Sequence, residues 1–249
     1  MPFSKRQMIR EIKAKKELSG LTDSIVSDIL SKYLKMYNLT TKEMSRQKLK
    51  VIKKEVRAEL RLLAGRFQKT TKRKSAFSTE RLLETHSSTS ERTAFYPELK
   101  RIISNMKAKS ILDLGCGLNP LALADKNTKY YAADIKEDEL GIIKNYFEKN
   151  KINGKTFTYD LRKIKNDLPR IDICFLFKVL DILDKNLAEK IIKSIPSKKI
   201  LVSFATKKLS GKKMSHPKRI WFEKILERLN FKYETFNSDN EIFYLIEKT

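Results

Sequence analysis

The chain of 249 residues contains two cysteines, two histidines and no run of about 18 apolar residues. Cys116 and Cys174 are too few and too far apart for a metal motif or a disulfide framework, and His86 and His216 add no metal constellation. We therefore expect no metal site and two buried thiols in a reducing cytoplasm. No segment is predicted to span a bilayer, and residues 1–17 lack the apolar stretch of a secretory signal.

Acidic residues are scarce relative to basic ones. The chain has 30 Asp and Glu against 54 Lys and Arg, which gives a formal net charge of +24. A fold gains nothing from such self-repulsion, so the imbalance indicates a polyanionic partner, either nucleic acid or an anionic membrane surface. The first 85 residues carry 22 basic and 9 acidic side chains, a net +13. We predict a basic helical domain with a linker over residues 1–85 and a second domain over 86–249.

The first domain shows helical periodicity. Apolar residues between Ile25 and Tyr37 share one face of a predicted helix, and those between Leu49 and Phe67 share one face of another. The opposite face of the second helix carries a basic stripe at i, i+4, i+7 and i+11, namely Lys50, Lys54, Arg57 and Arg61. A solvated face of a small bundle is the alternative, but only Glu55 and Glu59 interrupt the positive charge. We interpret the stripe as facing RNA and residues 68–78 as a basic linker.

From Ser110 onward, short β-rich segments alternate with helices. The predicted strands are 110–114, 130–135, 156–159, 171–177 and 199–204, and the predicted helices are 135–150, 187–195 and 217–230. The last helix is expected to have Ser215 or His216 as its cap and Pro217 in its first turn. Segments 231–236 and 241–248 predict a closing hairpin. The pattern predicts an α/β fold whose sheet is mostly parallel, with an antiparallel C-terminal hairpin.

The sharpest motif is ILDLGCGLNPLAL, residues 111–123. An apolar strand ends in Asp113, and Gly115 and Gly117 turn the chain where a Cβ would collide with a bound ligand. The dehydrogenase fingerprint requires a third glycine where Pro120 stands, so a pyrophosphate-binding loop is not expected. The acidic-x-Gly-x-Gly form matches the first motif of enzymes that use S-adenosylmethionine.

Two more carboxylates follow at predicted strand ends. Asp134 lies 21 positions after Asp113, where it can accept hydrogen bonds from both ribose hydroxyls and would repel the 2′-phosphate of NADP. It can also cap a helix starting at Ile135, and the two roles can coexist. Asp160 ends the third strand, where it can accept from an adenine amino group. Acidic residues at three successive strand ends predict S-adenosylmethionine as the cofactor and, with the closing hairpin, a class I methyltransferase Rossmann-like sheet.

The fourth strand and its exit lack two catalytic signatures. Enzymes that methylate exocyclic amino groups carry Asn/Asp/Ser-Pro-Pro-aromatic there, whereas this chain has Phe177-Lys178-Val179-Leu180. Cys174 lies inside the strand and does not fit a 5-methylcytosine nucleophile. A ring nitrogen such as guanine N7 has its own lone pair and needs mainly alignment and desolvation. Lys178 is placed where a target base would enter, and a solvated lysine after a strand is an equally weighted alternative.

Four segments resemble the 16S ribosomal RNA guanine-N7 methyltransferases of the aminoglycoside-resistance type. They are HSSTSERTAFYPEL (86–99), DLGCGLNPLAL (113–123), FLFKVLDIL (175–183) and SFATKKLSGK (203–212). The basic N-terminal region is also similar to that family's ribosome-docking extension. Two positions differ from the family's pattern, since Asp181 and Ala205 stand where prolines are usual.

The resemblance implies a role for each matching residue. Arg92 would pair with the methionine carboxylate of the cofactor, and Lys178 would act at the target base as the catalytic residue. The implied cofactor-binding residues are Arg92, Asp113, Gly115, Cys116, Gly117, Asp134, Ile135, Asp160 and Leu161. The implied RNA-binding residues, besides the basic stripe, are His86, Ser87, Ser88, Lys207, Lys208 and Lys212.

Together these features predict a methyltransferase that modifies 16S ribosomal RNA in the assembled small subunit, at guanine N7 in the decoding region. Members of the similar family confer aminoglycoside resistance through such a modification. One alternative is methylation of another ribosomal or transfer RNA position. Another is a non-catalytic RNA-binding assembly factor with a methyltransferase fold, which the intact acidic and glycine positions disfavour. We expect a cytoplasmic monomer without a membrane role, because the apolar face of the basic helix is needed to build its domain.

Overall fold

The computed structural model of the protein describes residues 4–40, 44–65, 78–207, 211–215 and 217–248. The helices are α1 (Lys5–Lys13), α2 (Asp23–Met36), α3 (Arg46–Leu60), α4 (Thr79–Glu84), α5 (Ser87–Arg92), α6 (Tyr96–Asn105), α7 (Pro120–Leu123), α8 (Glu137–Lys149), α9 (Lys185–Ser194) and α10 (Ile220–Arg228). The strands are β1 (Ser110–Leu114), β2 (Lys129–Asp134), β3 (Gly154–Thr158), β4 (Ile173–Phe177), β5 (Lys199–Ala205), β6 (Lys232–Asn237) and β7 (Glu241–Glu247).

Helices α1 to α3 form an N-terminal bundle around an apolar core of their own. Each begins at a hydroxyl cap, because the side chains of Ser4, Thr22 and Ser45 accept a hydrogen bond from the backbone N–H three residues later. The two helices predicted from periodicity correspond to α2 and α3. Helix α3 is shorter than predicted and passes into a π-helical turn, Arg61–Gly65. Most of the predicted linker lies outside the described residues.

The seven strands form one sheet in the order β3-β2-β1-β4-β5-β7-β6. Strands β1 to β5 pair in parallel, whereas β7 pairs antiparallel with both β5 and β6. Helices α9 and α10 cover one face, and α4 and α6 to α8 cover the other. This confirms the predicted mostly parallel sheet with an antiparallel C-terminal hairpin, and each strand lies within two residues of its predicted bounds.

Two predicted helix starts are wrong. The helix after β2 begins at Glu137, and Asp134 is not its cap because Lys136 occupies the N-cap position. Helix α10 begins at Ile220, with Arg219 at its N-cap. Ser215 and Pro217 therefore precede the helix without capping or opening it, and His216 lies outside the described residues.

The N-terminal bundle contacts the sheet domain beside the end of β2. Leu21 forms a β-bridge with Lys136, and the N–H of Glu137 donates to the Gly20 carbonyl at 2.8 Å. Asp28 on α2 forms an ion pair with Lys163. Helix α4 falls before the predicted boundary at residue 85, yet its Leu82 and Leu83 pack in the sheet core. The boundary itself stays a prediction.

Candidate active site

A cavity opens at the carboxyl ends of the parallel strands, the edge where open α/β sheets bind ligands. Its walls come from the segments that follow β1 to β4, from α5, and from Leu63 and Ala64 at the end of the bundle. The predicted site residues that line it are His86, Ser88, Gly115, Gly117, Asp134, Ile135, Asp160, Leu161 and Lys178.

The loop after β1 requires its two glycines. Gly115 and Gly117 have φ angles of +68° and +50°, a backbone conformation that favours glycine. A Cβ on Gly115 would lie 2.9 Å from Val179 Cγ2, and one on Gly117 would lie 3.4 Å from His86 Cε1. The need for glycine at these two positions, which the sequence analysis attributed to a bound ligand, is thus already present within the protein itself. Because these two residues have no side chain, the backbone of the loop can approach a cofactor closely.

Asp134 ends β2 and presents its carboxylate to the cavity. Its Oδ2 accepts the N–H of Gly117 at 2.9 Å, and its Oδ1 accepts the N–H of Ile135 at 2.7 Å and of Lys136 at 3.1 Å. Burial raises the pKa of Asp134 to about 6, and the nearby Glu139 contributes, although the backbone hydrogen bonds oppose them. The carboxylate is therefore oriented by three backbone groups and is ionised at neutral pH.

Asp160, just beyond β3, is held by the neighbouring Arg162. The guanidinium donates to both carboxylate oxygens, at 2.9 and 2.7 Å, and the Arg162 N–H donates at 3.0 Å. Burial alone would raise the pKa of Asp160, but the hydrogen bonds and charge of Arg162 lower it below its ordinary value. Oδ1 accepts two of these hydrogen bonds and Oδ2 accepts one, so Oδ2 keeps a lone pair for an adenine amino group.

Arg92 lies behind the cavity wall, not on it as predicted. Its Nε and Nη2 donate to the two oxygens of Glu241 at 3.0 and 2.7 Å, and its Nη1 donates to Asn119 Oδ1 at 2.5 Å. The side chain is buried and is not among the described residues that line the cavity. Its contact with the methionine carboxylate stays a prediction, and Nε, Nη1 and Nη2 each already donate one hydrogen bond within the protein.

Asp113 and Cys116 also lie behind the wall. Asp113 is fully buried and accepts a hydrogen bond from the Tyr130 hydroxyl at 2.9 Å. The Cys116 side chain packs in the sheet core, its N–H donates to the Ala133 carbonyl, and burial raises the pKa of its thiol well above the ordinary value. The structure therefore places both side chains where they support the glycine loop, and neither side chain reaches the cavity.

Lys178 leaves β4 in a left-handed conformation, with φ +57°, and is only 5% exposed. Its ammonium lies 2.7 Å from Glu91 Oε2 and 3.3 Å from Glu241 Oε1. The alternative of a solvated lysine is wrong, because the side chain is buried and lines the cavity. A non-glycine residue held at positive φ beside a cavity is typical of functional sites.

Sequence analysis missed Glu241, which joins the two predicted functional cations. This buried carboxylate binds Arg92 and Lys178 and accepts the Ser203 hydroxyl at 2.6 Å. Burial would raise its pKa, but the charges of Arg92 and Lys178 lower it below the ordinary value. The only signal in the sequence is an acidic residue at the start of an apolar strand, and its partners are too distant in sequence to predict.

The segment His86–Ser88 forms an inner wall of the cavity. The His86 ring is buried, with Nε2 3.8 Å from Glu139 Oε2 and Nδ1 3.5 Å from Ser88 Oγ. Ser87 is half-buried and opens the short helix α5. The predicted role of these three residues in meeting RNA stays a prediction, and the structure shows His86 and Ser88 facing the cavity.

The four residues of the predicted basic stripe differ in the contacts they make within the bundle. Lys50 and Lys54 are exposed. Arg57 instead donates to the backbone carbonyls of Glu11 and Ile12 near the end of α1, at 2.6 and 3.3 Å. Arg61 donates from Nε and Nη2 to the same oxygen, Glu17 Oε1, at 3.0 and 2.8 Å. The RNA-facing role of the four residues stays a prediction, and Arg57 and Arg61 in addition hold the bundle together through these contacts.

The predicted RNA-facing lysines after β5 are only partly described. Lys207 forms a β-bridge with Lys213, and Lys212 is exposed at the start of the returning strand. Lys208 lies outside the described residues. Contact of this segment with RNA stays a prediction.

Comparison with known proteins identifies the family. The model of the ribosomal RNA methyltransferase (FmrO) family matches residues 40–245. The chain belongs to this family. It is therefore a ribosomal RNA methyltransferase that uses S-adenosylmethionine, and the glycine loop, Asp134 and Asp160 around the cavity suit that cofactor.

Similar proteins agree with this assignment. The chain is 31% identical over 184 residues to a 16S rRNA (guanine(1405)-N(7))-methyltransferase of Serratia marcescens, covering 70% of this chain and 72% of the relative. A protein of the same name from Micromonospora echinospora is 30% identical, covering 68% and 65%. The fold matches the 16S rRNA methyltransferase RmtF, solved with S-adenosyl-L-homocysteine, at a TM-score of 0.81 and 22% identity over the whole of both chains. Among the described residues, no helix is long and apolar enough to cross a membrane.

Proposed function

We propose that this family member methylates guanine N7 in the decoding region of 16S ribosomal RNA, within the assembled small subunit. The observation that carries the proposal is the position of Lys178. Its Nζ lies on the cavity wall, 2.7 Å from Glu91 Oε2 and 3.3 Å from Glu241 Oε1, where it can donate a hydrogen bond to a target base. This site suits an acceptor that needs no deprotonation, as guanine N7 does. The names of the similar proteins favour the same atom.

Each residue around the cavity would have its own role in binding the cofactor or the target base. Asp134 would hold the ribose of the cofactor, and Asp160 with Leu161 the adenine edge, with Ile135 packing beside them. S-adenosylmethionine supplies an electrophilic methyl group on a sulfonium. Lys178 would orient the base through its carbonyl oxygen or a neighbouring phosphate, and closure of the apolar wall of Phe177 and Val179 would exclude water.

The substrate would dock through the basic surface of the bundle. Lys50 and Lys54 remain exposed on α3 after Arg57 and Arg61 are assigned to the bundle. Because Leu63 and Ala64 of the same chain segment line the cavity, RNA bound along α3 would lie close to the entrance. We further propose that the protein acts in the cytoplasm as a monomer, which sedimentation of the purified protein would test.

The experiment is methyl transfer from labelled S-adenosylmethionine to intact small subunits, protein-free small-subunit RNA and bulk transfer RNA. Mass spectrometry identifies the modified nucleoside, and Asp134→Asn is the matched control of equal volume. We expect 7-methylguanosine on intact subunits alone. Label on transfer RNA, or in another nucleoside, would refute the substrate assignment. Calorimetry that detects no cofactor binding would instead identify a non-catalytic assembly factor.

If the modified guanine lies in the decoding region, expression of the protein in a susceptible bacterium should raise the inhibitory concentration of aminoglycosides. The inactive Asp134→Asn variant provides the baseline. An unchanged inhibitory concentration, despite 7-methylguanosine on the subunits, would place the modification elsewhere in the RNA.

A further inference from the structure

Arg219, immediately before α10, joins three segments at the rim of the active site. Its Nε and Nη2 donate to the two oxygens of Asp181 at 3.0 and 2.8 Å. Its Nη2 also donates to the Ala205 carbonyl at 2.9 Å, and its Nη1 to the Pro217 carbonyl at 2.8 Å. One guanidinium therefore ties the turn after β4 to the end of β5 and to the start of α10.

The geometry of this contact is restrictive. The Arg219 side chain is only 11% exposed, and its guanidinium lies 5.3 Å from the centre of the Phe204 ring. The Arg219 N–H donates to the Tyr244 hydroxyl at 3.0 Å, so the backbone is fixed as well. A planar fork that is bound on several edges and stacked on an aromatic ring can hold its partners in one arrangement, which a lysine ammonium cannot do.

The segments that Arg219 joins border the cavity and the proposed RNA path. Asp181 lies in a 3₁₀ turn, Leu180–Ile182, whose neighbours Val179, Ile182 and Leu183 line the cavity. Beyond Ala205 the chain leaves β5 and carries Lys207 and Lys212. It returns at Met214, whose N–H donates to the Thr206 carbonyl at 2.8 Å. Arg219 Nη2 also contacts Met214 Sδ at 3.8 Å, so the guanidinium touches both ends of this loop.

We propose that Arg219 and Asp181 form a positioning pair for the RNA substrate. The pair holds Lys207 and Lys212, on the described segments that leave and re-enter at Ala205 and Met214, in register with the cavity wall after β4, so that docked RNA presents its base at Lys178. The proposal rests on the proposed function, since it assumes that RNA enters over this rim.

The proposal makes a specific kinetic prediction. Arg219→Ala should lower kcat for methylation of small subunits about 10- to 100-fold, because misplacement of reacting groups by about 1 Å has effects of that size. Cofactor affinity, measured by calorimetry, should change less than about twofold, since Arg219 does not line the cavity. Asp181→Asn should lower kcat in the same direction, and the double variant should be no worse than Arg219→Ala alone. Arg219→Lys should recover only part of the activity.

A matched control is available on the same helix. Arg228 near the end of α10 forms an ion pair with Glu189, far from the cavity lining, and is 60% exposed. Arg228→Ala removes an arginine–carboxylate pair from the same helix and should leave kcat unchanged. If Arg219→Ala and Arg228→Ala lower Tm alike and both keep the wild-type kcat, Arg219 is merely structural and the proposal is overturned.

Hydrogen exchange separates this proposal from the proposed function. In Arg219→Ala, the amides of Thr206 and Met214 should exchange faster, whereas those of β4 and of Asp134 should keep wild-type protection. Unchanged exchange at Thr206 and Met214 would overturn the positioning pair whatever the substrate. Faster exchange combined with a wild-type protein that does not methylate small subunits would instead refute the proposed function, and with it the assignment of RNA as the positioned ligand.

Discussion

Single buried charges decide the local structure of this active site. Arg92, Lys178 and Glu241 are all buried, and burying ions costs several kcal/mol each unless they are paired. Here one carboxylate satisfies two cations, and Glu91 adds a second negative charge at the surface end of Lys178. Lys178 is consequently held rigidly on the cavity wall at a left-handed backbone position.

Glu241→Gln should therefore be strongly destabilising. The change preserves volume but leaves two buried cations short of one negative charge, which costs about 3–5 kcal/mol. Urea unfolding of the variant, compared with Glu189→Gln at the exposed Arg228 pair, measures the effect. A loss no larger than that of the surface control would mean that Glu241 does not hold the two cations in solution.

Asp113 should give the protein a measurable pH dependence of stability. Burial raises the pKa of Asp113 to about 7, even though the hydrogen bond from Tyr130 opposes the shift. The folded-state pKa of Asp113 exceeds its pKa in the unfolded chain. The stabilisation that protonated Asp113 gives to the fold is therefore fully present below about pH 4 and is lost as the pH rises through about 7. Asp113→Asn never ionises, so its stability relative to the wild type should increase by roughly 2 kcal/mol between pH 5.5 and 8.5.

Unfolding free energies of both proteins at the two pH values test this prediction. Asp239→Asn, at an exposed position near the C-terminal hairpin, serves as the control. A difference between Asp113→Asn and wild type that does not vary with pH would show that Asp113 ionises normally in the folded protein.

At the scale of the element, the strand-to-helix connections carry the function. The glycine loop links β1 to the short helix α7, and its positive φ angles bring the backbone to the cavity. Helix α8 follows β2 only after Ile135 and Lys136, and this short extension leaves the N–H groups that orient Asp134.

Two glycines in these elements should respond oppositely to alanine. Gly141 lies on the exposed face of α8 with open space around it, so Gly141→Ala should stabilise the protein by about 0.5–1 kcal/mol. Gly117 has φ +50° and faces His86, so Gly117→Ala should destabilise it by about 1–2 kcal/mol and weaken cofactor binding. Thermal unfolding and calorimetry test both. Equal effects of the two substitutions would argue against a strained glycine loop.

At the scale of the whole molecule, the bundle and the sheet domain build one site together. Leu63 and Ala64 line the cavity, and the hydrogen bond between Gly20 and Glu137 ties the bundle to the chain just after Asp134. The concentration of positive charge in the bundle therefore lies next to the cavity and not on a detached appendage. We expect RNA docking and cofactor binding to favour each other for this reason.

Lys50→Glu with Lys54→Glu should weaken binding to small subunits steeply and flatten its dependence on salt, because fewer phosphates are neutralised. Their exposure predicts an unchanged Tm. Lys149→Glu with Lys155→Glu makes the same charge change at exposed sites near the β3 edge and should have little effect on binding. Filter binding across a salt series makes the comparison. Equal losses of affinity in the two double variants would show that the total charge of the protein, and not the proposed docking face, governs binding.

The local sequence pattern is sufficient to predict much of the fold and part of the candidate site. The central parallel strands β1, β4 and β5 are buried on both faces and read as apolar runs, so their bounds follow from the sequence. Because parallel strands end at one edge of the sheet, the positions of Asp134 and Asp160 at two strand ends predict that they share one cavity, and both line it. The basic balance likewise indicates a nucleic acid partner, whatever fold carries the charge.

Only the tertiary structure decided which of these side chains are free to act. Arg57 and Arg61 share a helix face with Lys50 and Lys54, yet their partners lie 44 to 46 positions away on and just after α1. Arg92 and Glu241 are 149 positions apart. Sequence periodicity predicts which face of a helix or strand a residue occupies. Whether a charged side chain on that face is paired depends on which other segment of the chain packs against it. The sequence determined the fold and the cofactor edge, and three-dimensional packing determined the roles of the arginines.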